Sequence, residues 1–293
     1  HDVPFIEEGG VRTFLSSQAD AIINPKQIEC EYKFKSICGA GVAFKLMEAL
    51  YEEIGMDKEE CYKLIEFVAI ATVCDVVDLI DENRIFVKNG LEMLNNSKNI
   101  GINALKKACG LEDKEITAYH LGFVIGPCLN ASGRLDSAKK GLELLLMEDD
   151  EEAEKLAQEI VDLNDARKNM TKEGVDRAIN IIDSTDINND KILVVYIPDI
   201  HESLAGIVAG RVKEKYNKPT IILTKSEEGV KGSARSIEEY NMFEGLLACK
   251  ELLDKFGWHP MAVGLSLQED KVDELRKALN NKCELTDEDF TDG

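Results

Sequence analysis

The stretch "KGSARS", residues 231–236, sets an ammonium, two hydroxyls and a guanidinium close together along the chain. Read as a strand, it alternates side chains between two faces, so Lys231, Ser233 and Arg235 share one of them. Those three groups together suit a phosphate, which an arginine can hold bidentately. Gly232 would let a ligand approach the backbone. A solvated edge strand accounts for the same residues. Three other stretches have comparable potential: "GPCLNASGR" (126–134), "HESLAGIVAGR" (201–211) and "GWHPMAVG" (257–264). Arg134 ends the first, where a helix-breaking turn with a surface charge is the plainer reading. His201 and His259 lie in glycine-rich turns, as turn and capping residues or as ligand contacts. His120, inside "TAYHLGF", reads as a packing or capping residue. Asp75 interrupts the apolar run "ATVCDVVDL". A buried acid is costly unless paired or metal-bound, which favours a functional role for Asp75.

The whole chain limits what such a site could bind. It has 35 Lys plus Arg against 56 Asp plus Glu, a formal charge of −21. That excludes a broad basic groove coating nucleic acid. It leaves room for a local phosphate site built from a few arginines, backbone N–H groups and cations. The acid excess is compatible with a divalent-cation site, though most of it reads as solvated helix surface. No run approaches the ~20 apolar residues of a membrane span. "HDVPFIEEGG" has neither basic nor apolar signal regions, and it lacks an initiator Met. The expectation is a cytoplasmic protein, with these residues forming a piece of a longer chain. The eight cysteines include no C-x-x-C pair, so reduced core thiols are expected rather than a zinc site.

The elements that must position these residues follow from periodicity. "ADAIINP" (19–25) reads as a short buried strand. "GAGVAFKLMEALYEEIG" (39–55) reads as a helix with Val42, Leu46, Leu50 and Ile54 spaced by four. Residues 58–77 are mostly helix, and "TAYHLGFVIGPCLNASGRLD" runs from a helix into a loop. Residues 151–182 have apolar positions at Leu156, Ile160, Leu163, Val175, Ile179 and Ile182, one long helix. "KILVVYI", "PTIILT", "VKGSARSI" and "MAVGLSL" are strands, interleaved with helices at "ESLAGIVAGRVKEKY", "MFEGLLACKELLDKFG" and "DKVDELRKALNNK". The expected fold class is α/β, two α/β lobes joined by a long connector helix.

In this order, the motifs resemble those of the DHH phosphoesterases, specifically the RecJ-like single-strand-specific exonucleases. That family's GPRLNAAGR, HEGVIGIVAGR, GSARS and GGHxxAAG correspond to "GPCLNASGR", "HESLAGIVAGR", "GSARS" and "GWHPMAVG" in this chain. "AIINP", "GAGVAFKL" and "ATVCDVVDLIDENR" look like the family core, and "HDVPF" like the residues around the end of the Asp-His-His signature. Cys128 stands where the family has Arg, Ser203 where it has Gly, and Trp258 and Val263 where it has small residues. Trp258 could stack on a base or pack locally.

The resemblance implies the C-terminal part of a DHH domain at 1–150 and a connector at 151–188. It implies a DHH-associated substrate-binding domain at 189–283 and a linker at 284–293. It implies hydrolysis with two divalent cations, Mn²⁺ or Mg²⁺. It matches His1 to the catalytic signature histidine and Asp75 to a metal ligand. Asn130, Arg134, His201, Ser233, Arg235, Ser236 and His259 match substrate contacts. The implied partner is single-stranded DNA with a 5′ end, with a single-strand-binding protein or a helicase as protein partners. The family's other metal-binding aspartates precede the signature, so residues 1–293 alone are expected to be inactive. A DHH phosphodiesterase of short RNA or cyclic dinucleotides, or a non-catalytic DHH scaffold, stays open as an alternative.

Overall fold

The structure is a computed structural model that describes residues 3, 5–8, 11–15, 17–257 and 259–290. The chain divides into two compact units, 1–163 and 164–293.

The first unit opens with an antiparallel hairpin, β1 (Phe5–Glu8) and β2 (Val11–Phe14), in which Phe5 pairs with Phe14. Its other described elements are helical: α1 (Gly39–Glu53), α2 (Lys58–Tyr62), α3 (Ile65–Cys74), α4 (Asp81–Asn95) and α5 (Ile100–Ala108). Next come α6 (Ala118–His120), a π-helical turn Leu121–Ile125, and α7 (Gly126–Leu135), then α8 (Lys139–Leu145). α6, the π turn and α7 follow one another without a break, so "GPCLNASGR" is a helix and not the expected loop. Pro127 stands just after the π turn, where the regular helical hydrogen-bond pattern is already interrupted.

Two further expectations fail here. Residues 19–25 form no strand, and Ile22 and Ile23 are exposed. Asn24 turns the chain instead, its side chain accepting from Lys26 N at 3.0 Å and its carbonyl from Gln27 N at 3.2 Å. On α1, Leu46, Leu50 and Ile54 are exposed, and the helix is buried through Gly41 and Phe44. Phe44 meets Phe86 edge-on at 5.5 Å, and this aromatic pair sets which face turns inward.

The helix α9 (Asp150–Ser184) begins in the first unit and ends in the second. Its first half buries Ala153, Ala157 and Ile160 in the core of the first unit. Its second half buries Ala178 and Ile182 in the core of the second. The seam runs through small residues rather than the larger Leu156, Val175 and Ile179, which are half-buried beside it. Gly174 shows why: a Cβ there would lie 3.0 Å from Val208 Cγ2, so a neighbouring helix approaches closely.

The second unit is built on a five-stranded sheet, β3 (Leu193–Tyr196), β4 (Thr220–Ser226), β5 (Gly229–Arg235), β6 (Lys255–Phe256) and β7 (Ala262–Leu267), in the order β3-β4-β5-β7-β6. β3 and β4 are parallel and the other pairs antiparallel. The helices are α10 (Ala205–Tyr216), α11 (Met242–Leu247) and α12 (Val272–Lys282). One face of the sheet, with Val194, Leu223, Val230, Ala234 and Leu265, is buried with α11 and α12 residues. On the other face Val195 and Ile222 are buried with α10, while Gly264 on β7 is exposed.

The expected helix at 242–257 stops at Leu247, because the chain pairs with β7. Asp254 N donates to Ser266 O at 2.8 Å and Gly257 N to Gly264 O at 2.9 Å. At the C-terminal end Leu285 is buried and Phe290 packs against the same core. The α/β class holds for the chain as a whole. The sheet that carries it lies in the second unit.

Candidate nucleic-acid interface

β5 is the middle strand of its sheet, not an edge. Val230 and Ala234 are buried on one side of it, and Lys231, Ser233 and Arg235 lie on the other. Arg235 Nη1 donates to Ser233 Oγ at 2.8 Å and to Ala234 O at 2.8 Å. The guanidinium is therefore held down on the strand. α10 covers it through Gly206, where a Cβ would lie 2.8 Å from Arg235 Nη2 and 3.1 Å from Ser233 Oγ. In register with Ser233 stands Gly264, and a Cβ built there meets nothing within 4 Å. The hydroxyl–guanidinium pair thus sits where a helix-covered half of the sheet gives way to an open half.

Small residues floor that open half. Ala262, Gly264 and Ser266 of β7 pair with Arg235, Ser233 and Lys231. A cavity of about 480 Å³ lies here, lined by Glu202, Lys231, Lys255, Phe256, Gly264 and Ser266 among others. Lys231 Nζ is paired with Glu202 at 3.0 Å, which raises the ammonium's pKa above its ordinary value and offsets its charge. Gly232 also lines this cavity, and a Cβ there would fall 2.4 Å from Leu223 Cδ2 and 2.6 Å from Ile222 O, so the missing side chain serves strand packing as well.

The remaining predicted residues of this unit have well-defined local roles. His201 caps the 3₁₀ turn Glu202–Leu204, its Nδ1 accepting from Ser203 N at 3.3 Å. His259 Nδ1 accepts from Met261 N at 3.2 Å. Both rings are exposed, and each uses one nitrogen on the backbone. Ser236 is 2% exposed and donates to Tyr240 O at 2.6 Å, so it holds the turn after β5. Trp258 lies outside the described residues.

In the first unit, Asp75 and Asn130 line one cavity of about 800 Å³, together with Ser36, Gly39, Cys74 and Asp78. Asp75 is exposed, not buried as its apolar neighbours suggested. The apolar run is cut in two because α3 ends there: Asp75 is its C-cap, and Val76 follows at φ +54° and 88% exposure. Arg134 is exposed near the C-terminal end of α7, on the helix that carries Asn130. His120 caps as expected, its Nδ1 accepting from Thr117 N at 3.1 Å. His1 lies outside the described residues.

A two-metal centre requires several carboxylate or imidazole donors around one point. Among the described residues no group of three His, Cys, Asp or Glu side chains could hold a cation. Asp75 and Asp78 are the carboxylates on the cavity wall. The Cys74 thiol is pushed up to about 11 by burial and by Asp75, so it stays protonated and is a poor ligand. The described donors do not make up a metal centre on their own. All eight cysteines are free thiols, as expected.

Periodicity alone could not have found Gly206 or Gly264; the only sign was glycine inside an otherwise regular helix and strand. Asp78 was legible as a second acid three residues after Asp75.

Residues 189–285 match the DHHA1 domain. RecJ of Bacillus subtilis, named a single-stranded-DNA-specific exonuclease, is 40% identical over 274 residues, 92% of this chain and 34% of its own length. The protein of the same name from Dickeya dadantii is 37% identical over 277 residues, 88% of this chain and 48% of its own. The crystal structure of Thermus thermophilus RecJ in complex with Mn²⁺ superposes with a TM-score of 0.76 at 30% identity, covering 86% of this chain and 37% of that one. The chain thus carries a DHHA1 domain and over most of its length is similar to RecJ. It spans between a third and a half of these two curated relatives. No described helix is long and apolar enough to cross a membrane.

Proposed function

We propose that the protein binds single-stranded DNA near its 5′ end, as the substrate-holding part of a RecJ-like 5′→3′ exonuclease in DNA repair and recombination. The observation that carries this reading is the Ser233–Arg235 pair, anchored on the middle strand and bordered by the open floor at Gly264. A guanidinium already fixed by its own strand loses little freedom when it binds a phosphate. The further proposed DNA contacts are Arg134 and Asn130 in the first unit, and His201 and His259 in the second. Ser236 supports the strand end rather than touching DNA.

In the whole protein two divalent cations, Mn²⁺ or Mg²⁺, would supply the hydrolytic chemistry, with Asp75 as a ligand and His1 at the phosphate. Among the described residues Asp75 and Asp78 are the carboxylates on the cavity they share with Asn130, so further ligands are needed to hold both cations. The proposed domains are the DHH part at 1–150, the connector at 151–188 and the DHH-associated domain from 189; the expected linker at 284–293 does not hold at its start, because Leu285 and Phe290 pack on that domain's core. A single-strand-binding protein or a helicase is the proposed protein partner, and the cytoplasm the proposed compartment.

Digestion assays on the full-length protein test this. The wild type is expected to degrade single-stranded DNA only with a divalent cation. Asp75→Asn is expected to abolish digestion while leaving strand binding within about threefold. Metal-independent digestion would show the site to be wrongly assigned.

A further inference from the structure

Tyr119 and Phe123 form a stacked pair in the first unit, with ring centroids 5.0 Å apart and planes 28° from parallel. They are 64% and 71% exposed. Large aromatic side chains this open to water are unusual, and here two support each other. Phe123 lies in the π-helical turn Leu121–Ile125, a rare form often kept where a helix carries function.

The same uninterrupted helix carries Asn130 and Arg134. Tyr119, Phe123, Asn130 and Arg134 are all exposed along this helix. From Tyr119 to Arg134 the helix rises about 22 Å, room for several nucleotides. The charge along this helix also favours a polyanion. Between Ala118 and Leu135 the only residue with a formal charge is Arg134, in a chain where acids number 56 of 293. Acid-rich surfaces repel a phosphate chain, and this helix carries no acid that would.

We propose that Tyr119 and Phe123 are a base-stacking platform for single-stranded DNA, holding a nucleobase while Arg134 holds phosphate further along the same helix. This rests on the reading of the protein as a single-strand binder. Stacking is insensitive to base identity, as an enzyme that digests any sequence requires.

Anisotropy titrations of residues 1–293 with oligo-dT, and with an equally long oligomer bearing abasic sites, test the proposal. Tyr119→Ala and Phe123→Ala are each expected to weaken oligo-dT binding roughly tenfold. Neither should change binding of the abasic oligomer, and Phe123→Tyr should bind oligo-dT like wild type. Arg134→Ala is expected to weaken both oligomers. If the aromatic variants bind oligo-dT like wild type while Arg134→Ala does not, the platform is refuted and the single-strand reading stands. Equal loss on both oligomers marks damage to the helix and refutes it too. A wild type that binds neither oligomer overturns both.

Discussion

The Arg235 guanidinium donates to the Ser233 hydroxyl at 2.8 Å, and Gly206 leaves the space in which this happens. Replacing Gly206 with Ala separates two effects. Alanine favours the helix by up to about 1 kcal/mol. Its Cβ, 2.8 Å from Nη2, also forces the mobile end of Arg235 away. Gly206→Ala is therefore expected to keep or raise the melting temperature while weakening binding of a single strand about tenfold. Calorimetry and strand titration on the same sample check both. Unchanged binding would mean that the guanidinium position does not matter.

Val76 is a β-branched residue held at φ +54°, one position beyond the Asp75 cap of α3. A left-handed conformation costs an L-residue roughly 1–2 kcal/mol, and glycine normally fills this place after a helix. Val76 is 88% exposed, so its removal sacrifices little burial. Val76→Gly is expected to raise the unfolding free energy by about 0.5–1 kcal/mol after glycine's own entropy cost. The urea midpoint measures it, and a fall would show that Val76 makes contacts that outweigh its strain.

Glu66 is 8% exposed, and burial pushes its carboxyl above the ordinary glutamate range, against the opposing pull of the Ser97 side chain and the Lys106 charge. A raised folded pKa means that Glu66 favours the fold fully only below its unfolded pKa. That contribution fades as pH rises through the folded value. Glu66→Gln should therefore stabilise the protein near neutral pH, with the gain vanishing near about pH 4. Chemical unfolding at the two pH values checks the sign. A variant less stable than wild type at neutral pH would show that the ionised carboxylate is worth more than its burial costs.

How much was legible in the sequence differs between the two units. In the second unit each predicted strand at 190–267 forms, because continuous β-branched runs such as "KILVVYI" have no other stable use than a buried strand. The alternation in "KGSARS" correctly assigned Lys231, Ser233 and Arg235 to one face. It could not show that β5 is central, that Glu202 neutralises Lys231, or that Gly232 serves packing, since these depend on neighbours distant in sequence. In the first unit, periodicity found the helices but not which of their residues are buried. On α1 the Phe44–Phe86 contact turns Phe44 inward, and on α9 alanines share the seam with Ile160 and Ile182. Asp75 was singled out for the wrong reason: it is an exposed cap, and its place on the cavity with Asn130 marks it.

The central claim is that Arg235, anchored by Ser233, recognises the phosphate at a 5′ end. Affinity of residues 1–293 for a single strand with and without a 5′ phosphate tests it most directly, in wild type, Arg235→Ala and Lys231→Ala. A charge-assisted hydrogen bond contributes about 1.5–3 kcal/mol, roughly one to two decades in affinity. The wild type is expected to prefer the phosphorylated strand by about that factor. Arg235→Ala should lose the preference. Lys231→Ala should keep it, because Glu202 already neutralises that ammonium. Equal affinity of Arg235→Ala and wild type for the phosphorylated strand would contradict the account and leave "KGSARS" a structural strand.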